Sequence, residues 1–178
     1  MRDSQRSRVY KWESKLFESY GLSKSIKNFD DCMSLKECNK FASKIWNTYK
    51  NKFYRNFNER RTRVASVKCS NTNGGRKGIA FGGFYYVKGN RYVKDGRKNC
   101  YKKMQLPRWA RSKQVIIHEV AHFLCPNDIW HHKEYVGVYM FLLNKYLGFT
   151  FRAMQDLAYE MNVDWSMSDS KYLQKAFR

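Results

Sequence analysis

All four histidines of this chain lie within fifteen consecutive residues, from His118 to His132. Two of them belong to the sequence His118-Glu-Val-Ala-His122, which is an HExxH pattern. On an α-helix, residues four positions apart share one face and lie about 6 Å apart along the axis. Both imidazoles can therefore reach one metal ion, with nitrogen–metal distances of about 2 Å. Glu119 points to the side of this pair, where its carboxylate can accept a proton from a metal-bound water, so the pattern indicates metal-assisted hydrolysis.

The residues that flank the pattern predict that its helix is buried. Three apolar residues, Val115 to Ile117, precede it, and further apolar residues follow within it and after it, up to Leu124. Two histidines and a glutamate on a buried helix are costly unless they are paired or bound to a metal. We therefore favour a metal site over a helix that carries two histidines by chance.

A catalytic zinc ion commonly takes three protein ligands and keeps one position for water. The candidates for the third ligand are His131, His132, Asp128, Cys125 and Glu134. Cys125 is seven residues and about 10 Å of helical rise from the first histidine, which is too far to share one ion. A role for Asp128 in a turn is at least as well supported as a role as metal ligand. Glu134 is better explained as an acidic residue in the first turn of the next helix, where it interacts favourably with the helix dipole. His131 and His132 remain open as alternatives, one as ligand and the other as a neighbouring group.

The pattern of elements predicts a single α+β domain over residues 1–178. Residues of about 1–60 have helical spacing of apolar side chains, and 63–107 read as an antiparallel β-meander rich in basic residues. The metal-binding helix and two further helices are expected within 113–162, followed by a tail at 165–178. We further hypothesise that the strand before Pro107 lies at a sheet edge and binds an extended peptide substrate.

Several residues mark where these helices should begin and end. Ser34 and Glu37 have the spacing of a capping box, and Ser112 and Thr150 are suited to cap the helices that follow them. Gly148 is a stop signal after a helix of residues 132–147. The glycine-containing separators of the middle segment, such as Gly89-Asn90, are hairpin signals.

The net charge of +20 belongs almost entirely to residues 50–113, which carry 19 basic and 2 acidic side chains, or +17. Aromatic residues are interleaved with these cations, as in surfaces that contact phosphates and stack on bases. We therefore hypothesise that this segment contacts nucleic acid, with Lys98, Lys102 and Lys103 as candidate contacts. Core packing of the aromatic rings and biased nucleotide composition of the gene are the competing explanations.

Composition excludes other classes of protein. Hydrophobic residues make up 43% of the chain, enough for a core, and the longest apolar run, 136–143, is too short to cross a membrane. The five cysteines form no CxxC pair, so neither a disulfide framework nor a four-cysteine zinc site is indicated. The N-terminus has no apolar stretch typical of a secretory signal. We expect an intracellular, cytoplasmic protein with no membrane partner.

The motifs also resemble known families. The residues Met104-Gln-Leu-Pro107, then Val115 to Asn127, then His131-His-Lys-Glu-Tyr135 resemble zincin metallopeptidases of the SprT-like kind. In these, a third histidine stands four residues before an aromatic residue, which selects His131. The opening Arg2-Asp-Ser-Gln-Arg6, then Val9-Tyr10 and Glu13, resembles the start of a metallohydrolase family of phages and bacteria.

This resemblance implies a zincin-like fold with one catalytic Zn²⁺ held by His118, His122 and His131. It also implies a phage-encoded protein that acts in the host cytoplasm, and by analogy with some members of the group, proteins bound to DNA as substrates. The loop before His131 is longer than in close SprT-like sequences, and His132 stands where glycine is often found.

Three functional hypotheses follow from the sequence. The first is a zinc metallopeptidase that cleaves peptide bonds by Glu119-assisted attack of a zinc-bound water, on protein or peptide substrates that include nucleic-acid-associated proteins. The alternative is a basic nucleic-acid-binding protein with a structural zinc site. The third is a binding protein that inhibits a host partner without turnover.

Overall fold

The computed structural model describes the chain in seven ranges, namely residues 5–22, 31–53, 64–71, 79–88, 91–94, 100–125 and 131–166. They contain the helices α1 (Arg6–Ser19), α2 (Leu35–Phe53), α3 (Lys113–Leu124), α4 (Lys133–Leu147) and α5 (Phe151–Glu160), and the strands β1 (Val64–Ser70), β2 (Ile79–Lys88), β3 (Arg91–Lys94) and β4 (Cys100–Gln105). A single 3₁₀ turn, Arg108–Ala110, precedes α3. The α+β class is therefore confirmed.

The sheet is mixed, and its strand order is β1-β4-β2-β3. The predicted hairpin is present, because β2 and β3 pair antiparallel with Lys88 opposite Arg91. The predicted antiparallel meander is wrong in its other connections, since β4 lies between β1 and β2 and runs parallel to β1. The two-residue connection at 89–90 forces neighbouring strands to pair, whereas the longer connections at 71–78 and 95–99 leave pairing to long-range contacts.

The position of β4 also corrects the hypothesis that the strand before Pro107 is a peptide-binding edge. Backbone groups of β4 pair with β1 on one side, for example Met104 with Cys69, and with β2 on the other, for example Met104 with Ala80. An added peptide strand needs an unpaired edge. An interior strand cannot provide it.

The chain divides into two compact units. One comprises Met1–Lys24 and Asp128–Arg178 and contains α1, α4 and α5. Its core includes Trp12, whose indole nitrogen donates a hydrogen bond to the Met154 carbonyl at 3.2 Å. The Tyr139 hydroxyl donates a hydrogen bond to the fully buried Glu13 carboxylate.

The other unit, Ser25–Asn127, contains α2, the sheet and α3. α2 packs against β1 and α3, and α3 also contacts β2. Asn39 ties α2 to β1, since its side-chain amide accepts from the Cys69 N–H at 2.7 Å and donates to the Cys69 carbonyl at 3.1 Å. The side chains that α2 buries are Cys38, Ala42, Ile45, Trp46, Tyr49 and Phe53.

The predicted helix boundaries are confirmed. The Thr150 hydroxyl accepts a hydrogen bond from the Ala153 N–H at 3.3 Å, and Gly148 ends α4 at a φ of 75°, a left-handed conformation that favours glycine. Ser34 and Glu37 form the capping box, with hydrogen bonds of 2.8 and 3.2 Å between each side chain and the other's backbone N–H. The bond from the Ser34 N–H lowers the pKa of the Glu37 carboxyl from its ordinary value of 4.5.

Within the described ranges, every helix is too short or too polar to cross a membrane.

Candidate metal centre

The HExxH pattern lies in the middle of α3, and local sequence explains why this helix forms there. The Ser112 hydroxyl caps its start by accepting a hydrogen bond from the Val115 N–H at 3.3 Å. Apolar residues on both sides of the pattern are buried, from Val115 to Leu124. The prediction that this helix is buried is confirmed, so its polar side chains are held in an apolar surrounding.

His118 and His122 lie on one face of α3 as their spacing predicts. Their ring centroids are 5.0 Å apart and the ring planes meet at 70°. His118 is only 5% exposed, whereas His122 is partly exposed. Glu119, the residue after the first histidine, is 8% exposed. The helix therefore presents two imidazoles side by side, with a nearly buried carboxyl group next to them in the chain.

His131 lies just before α4 and is 3% exposed. Its ring packs edge-on against Tyr10 of α1 at 5.0 Å and against Tyr135 of α4 at 5.1 Å. Its backbone carbonyl accepts a hydrogen bond of 2.7 Å from the side-chain amide of Gln5, which is 4% exposed. Both the ring and the main chain of His131 are thus held by neighbouring groups.

Ring nitrogens of His118, His122 and His131 lie within 4.8 Å of one another. This arrangement is compatible with a metal site. Neutral imidazole nitrogens are good ligands for zinc and for other late transition metals, so the donor set fits such an ion.

The other candidate ligands are placed differently. His132 is the N-cap residue of α4 and lies outside the group of three ring nitrogens. Glu134 lies in the first turn of α4, as predicted from the helix dipole. Cys125 is buried at the C-cap of α3. Asp128 lies outside the described residues.

The candidate nucleic-acid contacts are described only in part. Lys98 lies outside the described residues. Lys102 and Lys103 lie in β4, opposite Val67 and Lys68 of β1, and the structure describes their backbone alone.

Cys38 and Cys69 are both buried in the unit Ser25–Asn127. Burial raises the pKa of the Cys38 thiol to about 11 and that of the Cys69 thiol to about 12. Metal ions bind the thiolate, which a raised pKa disfavours at neutral pH.

Sequence reasoning missed Gln5 and Tyr10 as groups around His131. The contact between Gln5 and His131 joins positions 126 residues apart, and a single polar residue at the start of an amphipathic helix carries no signal of such a contact. The only hint was the resemblance of the residues from Arg2 to Glu13, which include both Gln5 and Tyr10, to the opening of a metallohydrolase family.

Comparison of the chain with models of protein families, with curated proteins and with solved structures gives no match.

Proposed function

We propose that this protein is a zinc-dependent peptidase, in which His118, His122 and His131 hold the ion and Glu119 acts as general base. The observation that carries the proposal is the grouping of the three ring nitrogens within 4.8 Å, with Glu119 in the HExxH position beside them. A third histidine whose ring nitrogen lies near those of the helical pair would supply the third protein ligand of a catalytic zinc site.

When bound, a zinc ion would lower the pKa of a nearby water and polarise the carbonyl group of a substrate. The three imidazoles would bind the ion through nitrogen lone pairs. The packing of Tyr10 and Tyr135 around the His131 ring restricts its rotation. A ligand already held in place loses less conformational entropy on binding the ion.

The proposed role of Glu119 is to move a proton. Its carboxylate oxygen would accept the proton of the water that attacks the peptide carbonyl carbon, and then deliver that proton to the nitrogen of the leaving amine. Its low exposure of 8% keeps the carboxylate away from bulk water, which strengthens its interaction with the reacting groups.

Glu119→Gln tests the proposal, because glutamine keeps the shape of the side chain and cannot accept the proton. We expect wild type and Glu119→Gln each to hold one zinc per chain, and the variant to hydrolyse a labelled protein substrate at least about a hundredfold more slowly. His131→Ala should lose zinc, whereas the matched neighbour variant His132→Ala should retain it. Zinc content is measured by mass spectrometry and hydrolysis by fluorescence, in parallel for all four proteins.

Turnover that persists in Glu119→Gln would contradict the mechanism. Zinc retained in wild type with no hydrolysis of any protein substrate, in the presence or absence of DNA, would favour the second candidate function. That candidate is a nucleic-acid-binding protein with a structural metal. The observation in its favour is that the unit Ser25–Asn127 has several exposed cationic side chains, among them Lys52, Lys68, Arg108 and Lys113.

A further inference from the structure

A cavity of about 480 Å³ lies where the start of α4 meets the end of α5 and the segment that follows it. Its volume is in the range of small-molecule sites, about 300–1,000 Å³. His132 lines it, one residue after the third histidine of the proposed metal site. The cavity is separate from the three histidines, since none of them lines it.

The walls of the cavity are joined by hydrogen bonds. The Gln5 side chain donates to the His131 carbonyl at 2.7 Å and to the Asp164 carbonyl at 3.1 Å, and it accepts from the Asp164 N–H at 2.9 Å. The Ser166 N–H donates to the Lys133 carbonyl at 2.9 Å. These bonds fix the segment after α5 to the residues that begin α4, so the cavity is formed before any ligand binds.

Two carboxylates line the cavity, those of Glu134 and Asp164. Among the residues that the structure describes, neither side chain has a hydrogen bond or an ion pair. Lys133 also lines the cavity and carries a positive charge. Its side chain is exposed, so water screens its repulsion of a bound cation. The carboxylates of Glu134 and Asp164 favour a cationic ligand in this cavity, because opposite charges attract.

Two aromatic rings complete the lining. Tyr159 is 89% exposed and Trp165 is 36% exposed. Within the described ranges, neither ring contacts another ring or a cation. Ring faces of tyrosine and tryptophan attract cations, and sites that bind organic cations combine such rings with carboxylates. Contact with a bound ligand would explain why the aromatic rings of Tyr159 and Trp165 are both exposed to water at the same cavity.

We propose that this cavity binds the cationic side chain of an arginine or lysine in a peptide substrate. The inference rests on the proposed peptidase function for the identity of the ligand, because the cavity begins one residue after His131. The cation would lie between the carboxylates of Glu134 and Asp164, with its aliphatic part against the rings of Tyr159 and Trp165. The cavity would then select peptides by a basic residue near the bond that is cut.

The test uses small blocked amino acids and the full-length protein prepared without metal, so that binding is measured independently of hydrolysis. The probes are N-acetyl-arginine amide and N-acetyl-citrulline amide, which have similar shapes and differ in charge. We expect the arginine probe to bind at least about threefold more tightly, and the variants Glu134→Gln, Asp164→Asn and Trp165→Ala each to weaken it about threefold to tenfold. Binding is followed by nuclear magnetic resonance titration.

Asp156→Asn is the matched control, because Asp156 is an exposed carboxylate on α5 that pairs with Arg152 at 3.8 Å and does not line the cavity. It should leave binding of the arginine probe unchanged. Equal affinity for the two probes would overturn the proposal. So would tighter binding of N-acetyl-glutamate amide, which would instead indicate an anion site at the start of α4.

The two proposals fail in different ways. If the arginine probe binds and Glu119→Gln remains fully active, the cavity assignment stands and the proposed catalytic role of Glu119 is wrong. If Glu119→Gln is inactive but neither the probes nor peptide substrates distinguish arginine from citrulline, the cavity assignment alone is wrong.

Discussion

At the scale of single residues, the amide of Gln5 connects three distant parts of the chain. It holds the main chain of His131 and the segment at Asp164 through three hydrogen bonds, and it is 4% exposed. Removal of a group that hydrogen-bonds to a metal-binding residue commonly weakens metal affinity about tenfold to a hundredfold. We therefore assign Gln5 a positioning role in the proposed metal site.

The prediction is that Gln5→Ala binds zinc about tenfold to a hundredfold more weakly than wild type, because His131 loses its backbone partner. Zinc affinity is measured by competition with a chelator. Asn39→Ala is the control, since Asn39 is also an amide that joins distant segments, here α2 and Cys69 of β1, without touching a histidine. Equal loss of zinc affinity in both variants would assign the effect of Gln5→Ala to general destabilisation.

At the scale of helices and strands, short-range patterns determine where each helix begins. The capping box of Ser34 and Glu37 satisfies two backbone N–H groups at the start of α2. The same hydrogen bonds couple the stability of the helix to pH, since they lower the pKa of Glu37 below its ordinary value of 4.5. The ionised carboxylate is the form that the folded protein favours.

The sign of the pH dependence follows from the lowered pKa. The contribution of Glu37 to stability is present above pH 4.5 and is lost as the pH falls through the lowered pKa of the folded state. Glu37→Gln should therefore lower the free energy of unfolding at pH 6 and have a smaller effect at pH 3.5, as measured by urea denaturation. A Ser34→Ala background removes the hydroxyl and keeps the backbone N–H that donates to Glu37, so the difference between glutamate and glutamine should become smaller there and should persist. A difference that is constant with pH would contradict this account.

At the scale of the whole molecule, charge is distributed unevenly along the chain. Residues 50–113 carry +17 of the net +20, whereas residues 114–178 carry 6 basic and 7 acidic side chains, or −1. The second unit of the fold, Ser25–Asn127, therefore carries the basic segment, and the end of the chain that includes α4 and α5 is almost neutral. The segment proposed to bind nucleic acid and the cavity proposed to bind a basic side chain therefore belong to different units.

The corresponding prediction concerns salt. If the basic segment binds DNA, the logarithm of the binding constant should fall linearly with the logarithm of salt concentration. Replacing the exposed residues Lys52, Lys68 and Lys113 by glutamine should make this slope shallower by about 0.9 for each DNA phosphate that the variant no longer neutralises. The slope is measured by fluorescence anisotropy with a labelled DNA duplex at several salt concentrations. Glu119→Gln is the control and should leave the slope unchanged. A slope that does not change in the triple variant would exclude these lysines as DNA-binding residues.

The features that sequence alone determined depend on interactions within a few residues. The spacing of His118 and His122, the apolar residues around them and the cap at Ser112 predict a buried helix with two imidazoles on one face, and α3 has these features. Gly148 and Thr150 likewise predict the end of α4 and the start of α5. Capping and helical periodicity act locally, so a local pattern contains the information needed to recognise them.

Long-range contacts decided the rest. The spacing of His131 and His132 after α3 allows either residue to be the third ligand. Only the tertiary structure distinguishes them, because it places a nitrogen of His131 close to those of the helical pair. The parallel pairing of β1 with β4 and the contact of Gln5 with His131 also join residues far apart in the chain. Such contacts depend on how all the buried surfaces pack together, because no short segment stabilises them by itself. Sequence therefore determined that α3 carries two imidazoles on one face. Tertiary packing decided which residues from the rest of the chain lie near them.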